Sequence, residues 1–391
     1  MASDLPTTSL EEPRLATPEV NKVVIVCTVM VIVGLTAGAY ATMLGHHRAY
    51  GVFREVPWGL VTSSYAFFAS LATGLCLLTT ISHAYGVTPL APLGSRAAFL
   101  AIVAVLTGAM LLGFSLESPW RMLIYNMSSP SVTSNIWWMT TLYGLMAGCM
   151  FLKFSATISG HSSLAVKIGI IGAITGVGAS TNLAALITSV SDPPIWYGSQ
   201  LSIFFLASAV LVGAAATALA TFGTYRLQKR TLDTAIQKAL HGTATIMAFM
   251  LAVLAAVTAV RLTTLFLHNP EPGRITALAL LRGPLAVTFW LMEVAVGLIA
   301  PLAILLGTKL KNPNSIAIAA ALALIGAFFH RYDLLIAGQL VPKYPGWSNA
   351  PAYFHYFPSL AEILIVVGAL GFAGGAFLLG ERFLGRGFRD L

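Results

Sequence analysis

Long apolar segments alternate with short polar connections over almost the whole sequence. Ten of these segments reach the roughly 20 residues that an α-helix needs to cross a bilayer. They lie at 23–44, 58–83, 97–116, 134–156, 164–188, 199–224, 242–262, 283–307, 315–333 and 359–381. The pattern predicts an all-α, polytopic integral membrane protein, with about ten transmembrane helices in a bundle.

The basic residues are distributed unevenly between the two sides that this pattern defines. With the N-terminus in the cytoplasm, most of the 22 lysines and arginines fall on that side. The positive-inside rule therefore places both termini in the cytoplasm. We expect a cytoplasmic N-terminal tail at 1–22, a ten-helix transmembrane domain at 23–383 and a cytoplasmic C-terminal tail at 384–391.

Composition narrows the chemistry that the chain itself carries. It is 57% apolar and only 9% charged, whereas soluble proteins average about 25% charged residues. The net charge of +8 does not indicate nucleic acid, because the basic residues sort by loop and form no common face. The three cysteines lie singly in apolar segments, and the eight histidines lie at segment ends or in loops. We therefore expect no metal site, haem or iron–sulfur cluster in this chain.

Ionisable residues at the ends of apolar segments are the first candidates for chemistry. Glu117 and Arg121 close the third segment, and His330, Arg331 and Asp333 close the ninth. A charge inside a bilayer costs roughly a few kcal/mol or more, so it is usually paired or solvated and often functional. Glu117 and Arg121 form either a functional pair or an ion pair that only anchors the helix. The group at 330–333 either exchanges protons, since histidine titrates near neutral pH, or is an interfacial cluster whose members only satisfy one another's hydrogen bonds.

Two further glutamates lie within apolar segments. Glu293 lies a third to halfway through the eighth segment, where an isolated carboxylate is neutral, paired or wetted. It is either part of a proton relay or a structural hydrogen-bonding group, and Arg261 is a possible partner. Glu362 lies one helical turn into the tenth segment, where it either caps the helix or faces an outer cavity.

Polar side chains also lie in the outer halves of the second and fifth segments. Tyr65 and Asn182 carry a hydroxyl and an amide that suit the carbonyl groups of a quinone. The alternative is that they form hydrogen bonds between helices, as such residues commonly do in membranes. The outer loops are rich in aromatic residues, as at 342–347, and form either a docking surface for a partner or an interfacial aromatic belt.

Five short motifs in the same order resemble the NrfD/PsrC family, the membrane subunits of polysulfide-reductase-like complexes. They are Pro57-Trp58-Gly59, Leu116-Glu117 with Arg121, Phe289-Trp290 with Glu293, Arg331 with Ala337-Gly338-Gln339, and Tyr356-Phe357-Pro358 with Glu362. The ten-segment length is similar to the longer branch of this family, which includes HybB, DsrP and QrcD. The chain departs from some members at Met139 and Ala179, where they carry a carboxylate and a histidine.

The resemblance implies a cofactor-free subunit that binds menaquinone or ubiquinone near the outer face of a bacterial or archaeal cytoplasmic membrane. A ferredoxin-like iron–sulfur subunit would dock on the periplasmic side, with further redox subunits such as a multihaem cytochrome c or a molybdopterin or hydrogenase subunit. Membrane lipid is the other expected partner. The expected quinone-binding residues are Tyr65, Asn182, Arg331, Trp58, Arg121 and Glu362. The expected proton-handling residues are Glu117, His330, Asp333 and Glu293.

Two other functions fit parts of the same pattern. A proton-coupled secondary transporter would use the buried carboxylates, and it predicts an internal repeat and helices broken near the membrane midplane. A purely structural anchor for extrinsic subunits predicts that neutralising the ionisable residues leaves activity intact. The sequence shows no clear repeat, and its ionisable residues gather toward one face.

Overall fold

The computed structural model describes residues 17–84, 88–189, 194–196, 200–268, 272–342 and 351–384. These residues are almost entirely helical, with an isolated β-bridge between Phe53 and Val56. Within this part of the chain, ten helical segments are long and apolar enough to cross a membrane. The prediction of an all-α, ten-helix membrane bundle is therefore confirmed.

The helices follow one another with short connections. They are α1 (Pro18–Leu44), α2 (His46–Ala49), α3 (Leu60–Ala84), α4 (Gly94–Ser115), α5 (Pro119–Ser128), α6 (Asn135–Ile158), α7 (Ser162–Ser189), α8 (Gln200–Leu227), α9 (Thr234–His268), α10 (Pro272–Leu281), α11 (Ala300–Gly307), α12 (Pro313–Leu340) and α13 (Leu360–Phe383). A π-helix at Thr288–Ile299 continues directly into α11, and together they make one span at Thr288–Gly307. Short 3₁₀ turns lie at Thr88–Leu93, before α4, and at Pro194–Trp196.

Local sequence signals set several helix ends. The Thr17 side chain accepts a hydrogen bond from the Val20 amide, and Pro18 occupies the first turn of α1. Ser359 and Glu362 form a reciprocal capping box at the start of α13. These caps satisfy amides that the first turn of a helix leaves without a partner.

Helix α12 differs most from its predicted span. The apolar segment was expected to end at 333, whereas α12 continues to Leu340. The charged run at 330–333 looks like a helix end in a hydropathy pattern, but its side chains are buried against other helices. His330, Arg331 and Asp333 therefore lie inside the span and not at its edge. Residues 1–16 and 385–391 are outside the described residues, so most of the two predicted tails stays a prediction, although α1 already begins at Pro18.

Helix α3 is central and packs against α4, α7, α8 and α12. Close helix pairs meet at glycines, because a residue without a side chain lets two backbones approach. A Cβ atom on Gly297 of the π-helix or on Gly326 of α12 would collide with the backbone of the other helix. This contact holds the π-helix against the charged part of α12.

Helices α1 and α13 form a pair at one side of the bundle. Gly34 and Gly368 bring their backbones into direct contact. Much of the remaining surface of α1 is apolar and exposed, as expected for a helix that faces lipid. Near the C-terminal end of α13, Glu381 forms a buried ion pair with Arg96 of α4, with 2.6 Å between the carboxylate Oε1 and the guanidinium Nε.

Candidate functional site

A buried acid–histidine pair joins the π-helix to α12. Nδ1 of His330 lies 2.5 Å from Oε1 of Glu293, and both side chains are less than 10% exposed. The Phe204 ring packs against the imidazole with 4.1 Å between ring centroids. The expected relay carboxylate thus has a histidine as its hydrogen-bond partner, and Arg261 instead donates to the Ile195 carbonyl at 2.8 Å.

Arg331 lies beside this pair and is only 2% exposed. Its Nη2 donates to the hydroxyls of Ser70 at 2.9 Å and Ser208 at 2.5 Å. Its guanidinium also lies over the Phe205 ring, 3.8 Å from the ring centroid. These contacts tie α12 to α3 and α8. Among the described residues, the guanidinium is held by hydroxyl groups and aromatic faces and not by a carboxylate.

Asp333 lies about one helical turn after His330, toward the C-terminal end of α12. It is 1% exposed, and its Oδ1 accepts a hydrogen bond of 2.6 Å from the Thr288 hydroxyl at the start of the π-helix. Two carboxylates, Asp333 and Glu293, therefore lie along the same contact between α12 and the π-helix.

Several buried polar atoms in this region have no hydrogen-bond partner within the described part of the chain. They are His330 Nε2, Arg331 Nη1 and Asp333 Oδ2. An unsatisfied buried polar group costs about 1–3 kcal/mol, so native proteins rarely keep one without a reason. These atoms are therefore the positions at which a polar ligand or water fits best.

A cavity of about 30 Å³ lies between α3, α8, α9, the π-helix and α12. Its polar lining includes Ser70, Ser208, Glu293, His330 and Arg331. One water needs about 10–15 Å³ on this measure, so the cavity takes one or two water-sized ligands.

On the side of α6, Tyr143 lies near both Arg331 and Tyr65. The Tyr143 hydroxyl is within electrostatic range of both the Arg331 guanidinium and Tyr65 of α3. Tyr65 itself is 8% exposed and packs beside Gly108 of α4. Ser180 of α7, which packs on both α3 and α6, is fully buried. The expected Tyr65 and Arg331 are thus close to Tyr143, a residue that the sequence reasoning missed.

Trp58 is held at the C-terminal end of α12. Its amide donates to Oε1 of Gln339 at 2.9 Å, and Nε2 of Gln339 donates to its carbonyl at 3.0 Å. The partly exposed Trp58 ring packs against Trp196, 5.4 Å away between centroids, and Trp196 donates to the Leu334 carbonyl. The start of α3 and the end of α12 are therefore fixed to each other.

Glu362 links the start of α13 to the loop before α3. Its carboxylate accepts hydrogen bonds from the Tyr356 hydroxyl at 2.6 Å, the Gly51 amide at 2.8 Å and the Ser359 amide at 2.9 Å. Burial raises the pKa of Tyr356, and the adjacent Glu362 carboxylate raises it further. Of the two interpretations of Glu362, these contacts favour the helix cap and clamp.

Glu117 and Arg121 lie apart from the buried cluster. Both are exposed, and the structure shows no ion pair between these two described side chains. Helix α4 ends at Ser115 and α5 begins at Pro119, so the two residues lie on either side of a turn and their four-residue spacing does not bring the side chains together. Burial lowers the pKa of the nearby His46, and Glu117 opposes that change.

Asn182 makes a contact between helices. Its Nδ2 donates to the Asn135 carbonyl at the start of α6 at 2.8 Å. This contact is a hydrogen bond between helices, which was the alternative to quinone binding for Asn182. The structure does not bring Asn182 into hydrogen-bond contact with the Arg331 cluster.

Four residues of the cluster were not singled out from the sequence: Ser70, Ser208, Thr288 and Tyr143. Their signal is weak because serine and threonine in membrane helices usually bond their own backbone. Tyr143 was the most detectable, since a tyrosine hydroxyl in the middle of a span requires a partner. No group of three potential metal ligands occurs among the residues that the structure describes.

These features define a multi-pass membrane protein with ionisable residues buried between its helices. The family model for NrfD, polysulphide reductase, matches residues 49–343. The chain belongs to this family, as the sequence motifs predicted. It is also similar to the C subunit of selenate reductase from Mesobacillus selenatarsenatis, with 22% identity over 360 residues that cover 80% of this chain and 82% of the relative. Helices α1 and α13 lie outside the range that the family model matches.

Proposed function

We propose that this protein is the quinone-binding membrane subunit of a multi-subunit reductase complex in a bacterial or archaeal cytoplasmic membrane. It exchanges electrons and protons between menaquinone or ubiquinone and an extrinsic iron–sulfur subunit. Family membership and the similarity to a reductase subunit support this proposal. The observation that carries it is the buried Arg331, which has an unpartnered Nη1 and lies beside the Glu293–His330 pair.

The buried donors beside the acid–histidine pair suit the carbonyl oxygens of a quinone. Arg331 Nη1 is a buried donor without a partner among the described residues. The Tyr143 hydroxyl lies beside the Thr73 side chain, and Tyr65 lies near Tyr143. Burying a carbonyl oxygen requires such donors. We propose that Arg331, Tyr143 and Tyr65 hold the head group. When bound, a quinone supplies two-electron, two-proton redox chemistry.

Cavity size separates the head-group site from the acid–histidine pair. The cavity at Glu293, His330 and Arg331 is about 30 Å³, whereas small-molecule pockets are typically about 300–1,000 Å³. We propose that the head group binds on the α6 side of Arg331, toward Tyr143 and Tyr65, which would have to move apart to admit it. The small cavity then belongs to water and protons.

The acid–histidine pair is suited to hold and pass a proton. With 2.5 Å between His330 Nδ1 and Glu293 Oε1, one proton can reside on either group. His330 Nε2 and Asp333 Oδ2 remain free to bind a second polar group or water. We propose that Glu293, His330 and Asp333 exchange protons with the quinone site. Glu117 is exposed, so its proposed proton exchange is with the outer aqueous phase.

The proposed docking face is the outer one, where the partly exposed Trp58 lies. Tryptophan is enriched at protein interfaces. The aromatic loop at 342–347 lies mostly outside the described residues, so its part in docking stays a prediction. Further redox subunits, of multihaem cytochrome, molybdopterin or hydrogenase type, are proposed beyond the iron–sulfur subunit.

The test uses the purified complex with Arg331→Gln and Tyr143→Phe. Each change removes a hydrogen bond to the head group, and we expect quinone affinity to fall about 10- to 100-fold for Arg331→Gln and less for Tyr143→Phe. Bound quinone is measured by lipid extraction and mass spectrometry, and turnover with a soluble quinone analogue. Thr140→Val is the matched control, because the half-buried Thr140 of α6 donates its hydroxyl to the Ile136 carbonyl of its own helix. Unchanged quinone content and turnover in both variants would rule out this site.

A further inference from the structure

Helix α5 differs from the other helices of ten or more residues in having no buried residue. It lies between the outer end of α4 at Ser115 and the outer end of α6 at Asn135. Its large apolar side chains are mostly exposed, at 75% for Trp120, 60% for Ile124 and 80% for Met127. No part of the described chain covers this surface.

The exposed residues of α5 divide into two faces. With about 100° between successive residues, Trp120, Leu123, Ile124 and Met127 fall within one arc of about 100°. This is the width of the apolar stripe of an amphipathic helix. Arg121 and Tyr125 lie on the adjacent polar side of the helix.

The remaining side of α5 is fixed to α6. The Trp137 indole donates to the Asn126 carbonyl at 2.9 Å, and the Asn126 amide donates to the Thr141 hydroxyl at 3.4 Å. Asn126 lies on the side of α5 opposite Ile124 and about 60° from Leu123. Trp120 and Ile124 therefore face away from α6, and Leu123 is the member of the arc nearest to it. The tether sets α5 at the level where α6 enters the membrane.

The apolar arc also continues the membrane-facing surface of the bundle. Ile136 and Leu145 of α6 are 53% and 54% exposed, and Val132, in the connection between α5 and α6, is 68% exposed. Helices with an apolar arc, a polar face and an arginine at their boundary lie in the interface of a bilayer, where the arginine meets lipid phosphate.

We propose that α5 lies flat in the outer leaflet of the membrane and binds phospholipid. Trp120, Leu123, Ile124 and Met127 enter the acyl region, and Arg121 binds a lipid phosphate. Continuity with the lipid-facing surface of α6 and the charge of Arg121 favour lipid over a protein occupant. The inference does not depend on the quinone site.

Nitroxide spin labels test which medium each face of α5 contacts. Labels are placed at Leu123→Cys and Tyr125→Cys, on opposite faces, after Cys27, Cys76 and Cys149 are replaced by alanine. The protein is reconstituted in vesicles of phosphatidylethanolamine and phosphatidylglycerol. Collision rates with oxygen, which concentrates in lipid, are compared with those of a water-soluble nickel complex. Labels at Leu145→Cys and Glu117→Cys give the reference values for lipid and for water.

We expect the oxygen-to-nickel ratio at Leu123 to approach that at Leu145, and the ratio at Tyr125 to stay near that at Glu117. A ratio at Leu123 equal to that at Glu117 would place the apolar arc in water and overturn the proposal. Low collision rates with both reagents at Leu123 would show protein cover and overturn it as well.

A second measurement keeps the native cysteines. A photoreactive benzophenone amino acid replaces Leu123 in the assembled complex, and its adducts are identified by mass spectrometry. Phospholipid adducts support the proposal. Adducts confined to another protein of the complex would make α5 a docking surface for protein and overturn it.

Discussion

Nδ1 of His330 lies 2.5 Å from Oε1 of Glu293, and this contact joins two helices that are both needed to bury it. The two residues are 37 positions apart in the chain, on the π-helix and on α12. Each ring or carboxylate alone would be an isolated polar group inside the membrane. Their pairing explains how the bundle can bury ionisable residues within its membrane-spanning segments.

Disrupting this pair should reveal a strong coupling between its members. Removing Glu293 leaves His330 Nδ1 without a partner, so we expect Glu293→Leu to lower the free energy of unfolding by about 1.5–3 kcal/mol. The double variant Glu293→Leu/His330→Leu should lose less than the sum of the two single variants, because neither group is then orphaned. Equilibrium unfolding of the detergent-solubilised protein measures this. Additive losses would contradict the pairing.

The glycine contact between the π-helix and α12 should be intolerant of side chains. A Cβ atom at Gly326 would meet the Gly297 backbone, so we expect Gly326→Val to push the helices apart and separate Glu293 from His330. Overpacking of this kind costs about 1–3 kcal/mol and should also lower turnover. Thermal unfolding and turnover are measured together. Gly307→Val is the control, since nothing lies within 4 Å of its Cβ position, and equal effects at the two glycines would contradict the prediction.

The buried ion pair between Arg96 and Glu381 should anchor the C-terminal end of α13. We expect Glu381→Leu to destabilise the protein by about 1.5–3 kcal/mol, because it removes the charge-assisted contact of 2.6 Å between the two side chains. Replacing both, as Arg96→Met/Glu381→Leu, should restore much of that loss. Thermal unfolding and limited proteolysis near α13 are the measurements. A double variant no more stable than Glu381→Leu would exclude this explanation.

The clamp formed by Tyr356 and Glu362 should weaken at high pH. Burial raises the pKa of Tyr356 above its ordinary value, and Glu362 adds to the effect. As pH rises, the tyrosine hydroxyl therefore loses its proton in the unfolded chain at a lower pH than in the folded protein. The stabilisation is complete below pH about 10 and is lost as pH rises further toward the folded pKa. Unfolding midpoints between about pH 8 and 11 should fall in the natural protein and change less in Tyr356→Phe. Parallel pH profiles would show that the tyrosine does not contribute.

Much of the fold was accessible from sequence because the bilayer allows few solutions. A backbone in hydrocarbon must satisfy its own hydrogen bonds, so a long apolar segment becomes a helix regardless of its neighbours. The family motifs at Glu293, Arg331 and Glu362 also marked residues that prove to be buried. The exposed Glu117 and Arg121 form another of these motifs but lie outside the buried cluster. A motif gives the order of residues along the chain and not their burial.

The site was predicted less completely than the fold. Hydropathy ended the ninth span at the charged run, since it scores each residue without knowledge of its partners. In the structure, Ser70, Ser208 and Thr288 supply those partners from three different helices. Single hydroxyl residues of this kind are too common in membrane helices to be recognised in advance.

The sequence by itself determined the class of protein, the number of spans and the family, because each depends on local length, polarity or short motifs. Only the tertiary structure decided that Glu293 pairs with His330, that Arg331 binds serine hydroxyls, and that Glu362 clamps the outer loops. These choices depend on which helix faces meet, and that is set by close backbone contacts such as Gly297 with Gly326. The physical reason is that a bilayer dictates helices one at a time, whereas the satisfaction of a buried polar group requires several helices at once.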